Sequence, residues 1–264
     1  MPRICAGVSC GCMYPEYPEV ALKSLCERGV SSFELFLNTH SELEPEYIQS
    51  LRDILKSNGA ECVSLHPFTC VADTYMLYTG YERRTRDYIE YHKRYFEAMN
   101  ILGAKYFILH GCRKDLPDGV VFEGYSRLSE TAGTFGVQVL QENVYQCATG
   151  RLDRLVRMKK ALGDNVGFVL DVKQAVLEDL DPLDFVDELG SSIKHVHFSD
   201  HGKKGSCLLP GEGEFSTEQF VSRLMKAGYN GAIMLEVYRK AFKGYDELTK
   251  GVAYIQSVID GLSV

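Results

Sequence analysis

A chain of 264 residues with 45% hydrophobic and 25% charged content can bury a sizeable core, and α/β barrels commonly fill this length as one domain. Its net charge of −7 and pI near 5.6 present a repulsive field to polyanions, which argues against nucleic acid and anionic membranes as partners. No apolar run approaches the roughly 20 residues of a membrane span, so no membrane partner is expected.

The N-terminal "MPRICAGVSC" reads as a first strand and lacks the long apolar segment of a signal peptide. Nine cysteines (Cys5, Cys10, Cys12, Cys26, Cys62, Cys70, Cys112, Cys147 and Cys207) are scattered and odd in number. Free thiols in a reducing cytoplasm fit this better than a disulfide framework. "CGC" at Cys10 to Cys12 lacks the C-x-x-C spacing of zinc and redox sites; it reads as small buried residues at a strand end.

From the N-terminus onward, short β-branched or apolar runs alternate with longer amphipathic ones. "RICAGVS" (3–9) leads to a helix over 18–29, and "VSSFELFLN" (30–38) to one over 44–59. "ECVSLH" (61–66) leads to 83–103, "AKYFILHG" (104–111) to 124–136, and "VQVLQEN" (137–143) to 151–163. "VGFVLD" (166–171) precedes a helix over 181–190, "IKHVHFSD" (193–200) one over 216–228, and "GAIMLEVY" (231–238) one over 245–260. Apolar residues three and four apart, as at Tyr47, Leu51, Ile54 and Leu55, support the helices. Glycines after several of them suit a left-handed end, and Ser216 with Gln219 reads as a capping box. Eight strands in strict alternation with eight helices predict an α/β fold, a single-domain (β/α)8 TIM barrel over residues 1–264. An open doubly wound sheet is the second choice.

Such a barrel forms its site at the C-terminal ends of its strands. Read in order, those ends are Glu34, His66, His110, Glu142, Asp171, His197 and Glu236. Buried charges are costly unless paired or bound to metal, so this ring is a candidate site. Glu142, Asp171, His197 and Glu236 come from four consecutive strands. Three carboxylates and an imidazole suit one divalent ion, Mn2+ or Mg2+ by preference, with Zn2+ or Co2+ also suitable. The competing reading is a salt-bridge network using Lys105, Lys173 or Arg239.

The ordered motifs "QEN" at Glu142, "LDVKQ" at Asp171, "HVHFSD" at His197 and "MLEVY" at Glu236 resemble the xylose-isomerase-like barrel superfamily of sugar isomerases and epimerases. That group also holds the type-IV AP endonucleases. "FELF", "LHPF", "ILHG" and "PGEG" extend the likeness over nearly the whole chain. The resemblance implies a metal-dependent ketose isomerase or epimerase acting through a metal-stabilised enediolate. Glu142 and Glu236 would be metal ligands and the proton-transfer pair on opposite faces of the substrate. Glu34, His66, His110 and the basic Lys203 and Lys204 would contact hydroxyls or a phosphate. Gln174 stands where a substrate-contacting histidine is common. The implied partner is a small-molecule sugar or sugar phosphate, with a homo-oligomer allowed and no nucleic acid.

AP endonucleases carry three zinc ions and need a histidine where Gln174 stands. They also need an Asp-x-His where this chain has Gly205, Ser206 and Cys207. Phosphodiester cleavage is therefore a second reading, beside a related dehydratase. His195 reads as a hydrogen-bonded core ring one layer below His197, while His40, His92 and His201 read as surface groups. "GEGEF" at 211–215 reads as a tight turn before it reads as a phosphate cradle.

Overall fold

The computed structural model describes residues 4–68 and 75–263, and Arg3 and Cys70 lie outside the described residues. Eight parallel strands close into a barrel: β1 (Cys5–Ser9), β2 (Ser32–Leu37), β3 (Glu61–Pro67), β4 (Tyr106–Leu109), β5 (Gln138–Glu142), β6 (Gly167–Asp171), β7 (Ile193–Phe198) and β10 (Ala232–Leu235), with β10 closing against β1. A hairpin of β8 (Asp200–Gly202) and β9 (Gly205–Leu208) stands outside it, after β7. The expected single-domain (β/α)8 barrel is the observed fold.

The shell consists of α1 (Pro18–Cys26), α2 (Pro45–Ser57), α3 (Glu82–Leu102), α4 (Asp118–Thr134), α5 (Leu152–Leu162), α6 (Val172–Leu177), α7 (Pro182–Leu189), α8 (Thr217–Lys226) and α9 (Tyr245–Leu262). Prolines open α1, α2 and α7 at the first turn, where a missing N–H costs nothing. Among the described residues no helix is long and apolar enough to cross a membrane.

Two layers of apolar side chains hold this together. Phe33, Phe96, Phe107, Phe168, Phe185, Phe198 and Phe220 are fully buried between strands and helices. Ile108, Leu140 and Val169 fill the barrel interior with Tyr106 packed on them. Each large apolar side chain so buried contributes about 2 kcal/mol. An exposed ion pair such as Arg28–Asp246, at 2.9 Å, contributes about 0–1 kcal/mol, so burial decides the fold. The interior is tight: a Cβ at Gly7 would stand 2.5 Å from Met234 Sδ.

Several expectations need correction. α4 begins at Asp118, six residues before the expected start at 124, because Val121, Tyr125, Leu128 and Ala132 form its buried stripe. α6 was not anticipated; Asp171 starts it by accepting from Gln174 N. β7 ends at Phe198, two residues early. His92 is buried, its Nδ1–H donating to Tyr88 O at 2.8 Å and its ring stacked 3.8 Å from Tyr88. His201 is half-buried against Phe215, ring centroids 4.7 Å apart. The "GEGEF" segment, by contrast, is a turn as expected: the amides of Gly211, Gly213 and Phe215 all donate to Asp200, at 3.0, 2.9 and 3.1 Å.

Candidate active site

Side chains two apart on a strand share a face, so each interior residue carries a second one above it. Leu140 lies below Glu142, Val169 below Asp171, His195 below His197 and Met234 below Glu236. The register places His197 beside Asp171 on one flank and Met234 on the other. Glu142 and Asp171 end β5 and β6, His197 is the penultimate residue of β7, and Glu236 directly follows β10. One donor atom from each of the four lies within 4.8 Å of the others. His197 Nδ1 is 3.1 Å from Glu142 Oε1, 3.3 Å from Glu236 Oε2 and 3.7 Å from Asp171 Oδ2.

The other face of that ring is fixed from below. His197 Nε2 donates to Glu34 Oε2 at 3.0 Å. Glu34 is not a strand-end residue: it is the third residue of β2, fully buried, and also accepts from Ser64 Oγ at 2.8 Å. His195 Nε2 is 3.2 Å from the same carboxylate oxygen. A carboxylate behind a ligand-type histidine sets its tautomer and its direction. Glu34 therefore orients His197 from beneath, and its placement does not support direct contact with a substrate. His195 is a buried, hydrogen-bonded ring one layer down.

His66 and His110 approach Glu142 from the opposite side. His66 Nδ1–H donates to Pro67 O at 2.9 Å, which leaves its Nε2 lone pair facing His110 Nε2 at 2.9 Å. Glu142 Oε2 is 3.0 Å from His110 Nε2 and 3.8 Å from His66 Nε2. Glu142 thus belongs to two donor groups, one with each of its oxygens.

Lys173 is the cation of the competing reading that reaches the cluster. It is buried on α6, and its Nζ contacts both Asp171 Oδ2 and Glu236 Oε2. Lys105 is exposed, and Arg239 donates instead to Phe242 O at 3.0 Å. Gln174 Oε1 accepts from Tyr145 N at 2.9 Å, and its side chain borders the cavity. Lys203 is not brought to the site: its side chain is 90% exposed and Nζ lies 3.5 Å from Glu214 Oε1. Lys204 is exposed as well.

Above these groups lies a cavity of about 320 Å3, within the range of small-molecule pockets. His66, His110, Glu142, Lys173, Gln174 and Glu236 make its polar floor, and Tyr14, Phe36, Phe68 and Tyr238 its aromatic wall. Asn143 was missed by motif reading. It clamps β5 to β6, accepting from Asp171 N at 2.7 Å and donating to Asp171 O at 3.0 Å. Its only signal was its position directly after Glu142. The aromatic wall had no signal in spacing at all.

Burial opposes ionisation throughout, and neighbours decide the outcome. Burial works against the Glu142 carboxylate, but the His110 and His197 rings hold it well below the usual range. His197 is likewise disfavoured as a cation by burial, yet Glu236 and Glu34 raise it far above an ordinary imidazole. Burial lifts Asp171 despite Lys173. The same ammonium is held well above its ordinary value by Asp171 and Glu236, against the desolvation that would lower it.

The donor set fits a divalent ion. Three carboxylates and one imidazole match a hard or borderline cation. Separations of 3.1, 3.3 and 3.7 Å from His197 Nδ1 are those of neighbouring ligands around one centre with bonds of about 2.1 Å. The ammonium of Lys173 occupies part of the same space.

Comparison with known proteins gives a consistent picture. The chain is similar to inosose isomerase of Halalkalibacterium halodurans, 28% identical over 44% of this chain and 45% of that protein, so it spans under half of that relative. It is also similar to inosose isomerase of Bacillus velezensis, 26% identical over 83% of this chain and 82% of that protein. The crystal structure of a D-tagatose 3-epimerase-like protein superposes with TM-score 0.80 over 99% of this chain and 100% of that one, at 19% identity, which speaks for the fold. A family profile described as xylose isomerase-like TIM barrel matches residues 22–258. With that profile spanning nearly all of a closed barrel whose strand ends converge on one polar floor, the chain belongs to the xylose isomerase-like TIM barrel family.

Proposed function

We propose that this chain is a sugar isomerase or epimerase that uses one divalent ion held by Glu142, Asp171, His197 and Glu236. The ion, when bound, draws charge from a substrate carbonyl and acidifies the neighbouring C–H. Glu142 and Glu236 both reach the cavity floor, from β5 and from the residue after β10, on either side of His197 Nδ1. That opposed placement is the observation that carries the reading: one carboxylate can take a proton from carbon while the other returns one to the far side. His110 lies within hydrogen-bond reach of Glu142 and holds it ionised, ready to act as base. His66, His110 and Gln174 border the cavity where hydroxyls would lie.

Similarity to proteins named inosose isomerase supports a polyhydroxylated ketone as substrate. An unphosphorylated substrate is favoured because Lys203 is paired with Glu214 outside the cavity and the 211–215 amides serve Asp200. Mn2+ or Mg2+ is the proposed ion.

The test is proton exchange. With Mn2+ present in D2O, ketohexoses and inososes should exchange the hydrogen next to the carbonyl, read by NMR. Glu142→Gln or Glu236→Gln should slow this by about 100-fold or more with the fold intact by circular dichroism. Full exchange in the double variant would end the proposal.

A further inference from the structure

We propose that Lys173 is a counter-cation built into the four-donor site, whose ammonium must leave Asp171 Oδ2 and Glu236 Oε2 before a divalent ion can take them. This rests on the metal-dependent reading above and adds an exchange step to it: one cation is swapped for another, not added to an empty cup.

The geometry points to exchange. Lys173 lies two residues beyond Asp171, on the first turn of α6, so its stem rises from the same corner as the donor it neutralises. Its Nζ contacts two of the four donors directly, and it is 4% exposed. These are the oxygens of Asp171 and Glu236 that face His197 Nδ1, at 3.7 and 3.3 Å, and two cations sharing them at ligand distance would repel strongly. Apart from the His197 ring, whose Nδ1 faces the same two oxygens, no other cation is paired with this flank among the described residues. His66 and His110 serve the Glu142 flank, and Arg239 is engaged with the Phe242 carbonyl and lies over that ring, 4.8 Å from its centroid.

A destination is present as well. Nζ already lies 5.8 Å from the Tyr238 ring centroid, and Lys173 and Tyr238 both line the cavity. An ammonium moving off the carboxylates can settle over that ring, where the aromatic face attracts a cation. There it would face a bound sugar from the Glu236 flank. Lys173 also compensates charge where the buried Glu142 and Asp171 meet the half-buried Glu236; uncompensated, such a group would be strongly unfavourable.

The experiment measures binding, not turnover. Chelator-stripped wild type and Lys173→Met are titrated with Mn2+ by calorimetry, and both are melted with and without the ion. Lys173→Met should bind Mn2+ about tenfold tighter or more. Without metal it should melt below the wild type, with Mn2+ restoring it. Should the stripped variant unfold, chelator competition from its Mn2+-loaded form reads the same affinity. Equal or weaker binding by Lys173→Met, with the wild type binding normally, overturns the exchange while leaving the metal reading intact. If neither protein binds Mn2+, Mg2+, Co2+ or Zn2+, both fall together.

Discussion

Asp171 and Asp200 are both buried carboxylates near the C-terminal end of the barrel, 0% and 1% exposed, and they have opposite characters. Asp200 accepts from the amides of His201, Gly211, Gly213 and Phe215 at 2.7, 3.0, 2.9 and 3.1 Å. Its charge is spread into backbone, and it does not border the cavity. Asp171 gives one oxygen to Gln174 N at 3.0 Å and the other to an ammonium, with an imidazole and two more carboxylates close by. A buried acid answered by amides closes a turn. One answered by charged side chains beside a cavity is equipped for exchange and chemistry.

This contrast can be broken at three points. The largest effect is expected at Asp200→Ala, which leaves four amides without their acceptor. Unfolding by urea should show a loss of about 3 kcal/mol, with Mn2+ affinity of the folded protein unchanged. A loss below about 1 kcal/mol would mean the 209–215 segment is held by other contacts.

Glu34→Gln is next. It keeps the shape behind His197 but removes the charge that makes the ring a strong donor. Mn2+ affinity should weaken by about 10–100-fold, and an unchanged isotherm would remove Glu34 from the site.

The smallest effect concerns a third kind of buried group, a ring answered by a backbone carbonyl. Burial lowers His92 to about 4, against about 6.5 for an unfolded histidine. Between those values the unfolded chain binds more protons, so the contribution is complete above pH 6.5 and is lost as pH falls toward 4. From pH 7 to pH 5, His92→Phe should lose about 1–2 kcal/mol less stability than the wild type. Identical pH profiles would show that the ring does not titrate with folding.

The alternation of strands and helices was legible because periodicity and glycine punctuation report directly on which face is buried. The ordered strand-end acids and histidines pointed to the cavity for the same reason. What escaped lies in three dimensions. Glu34 looks like another strand end in "FELF", but a register shift between Phe33 and Glu34 and its depth in the barrel set it beneath His197. His92 sits among charges in "EYHKRYF", yet it shares a face with Tyr88, Tyr95, Phe96 and Met99, all buried, so helical spacing did carry that signal. Asp200 and His197 lie three residues apart in one motif, and spacing alone gives no hint that one serves the backbone and the other a cavity.

The divided loyalty of Asp171 has a consequence for recognition. Because one of its oxygens is tied to the first turn of α6, its torsions are frozen before any guest arrives. The entropy of ordering a carboxylate side chain, on the order of 1 kcal/mol, is settled when the chain folds rather than when the pocket fills. At this one position the site accordingly meets its ligand with a donor already set in place, and fraying of one short helix would register as weaker affinity even with every donor still present.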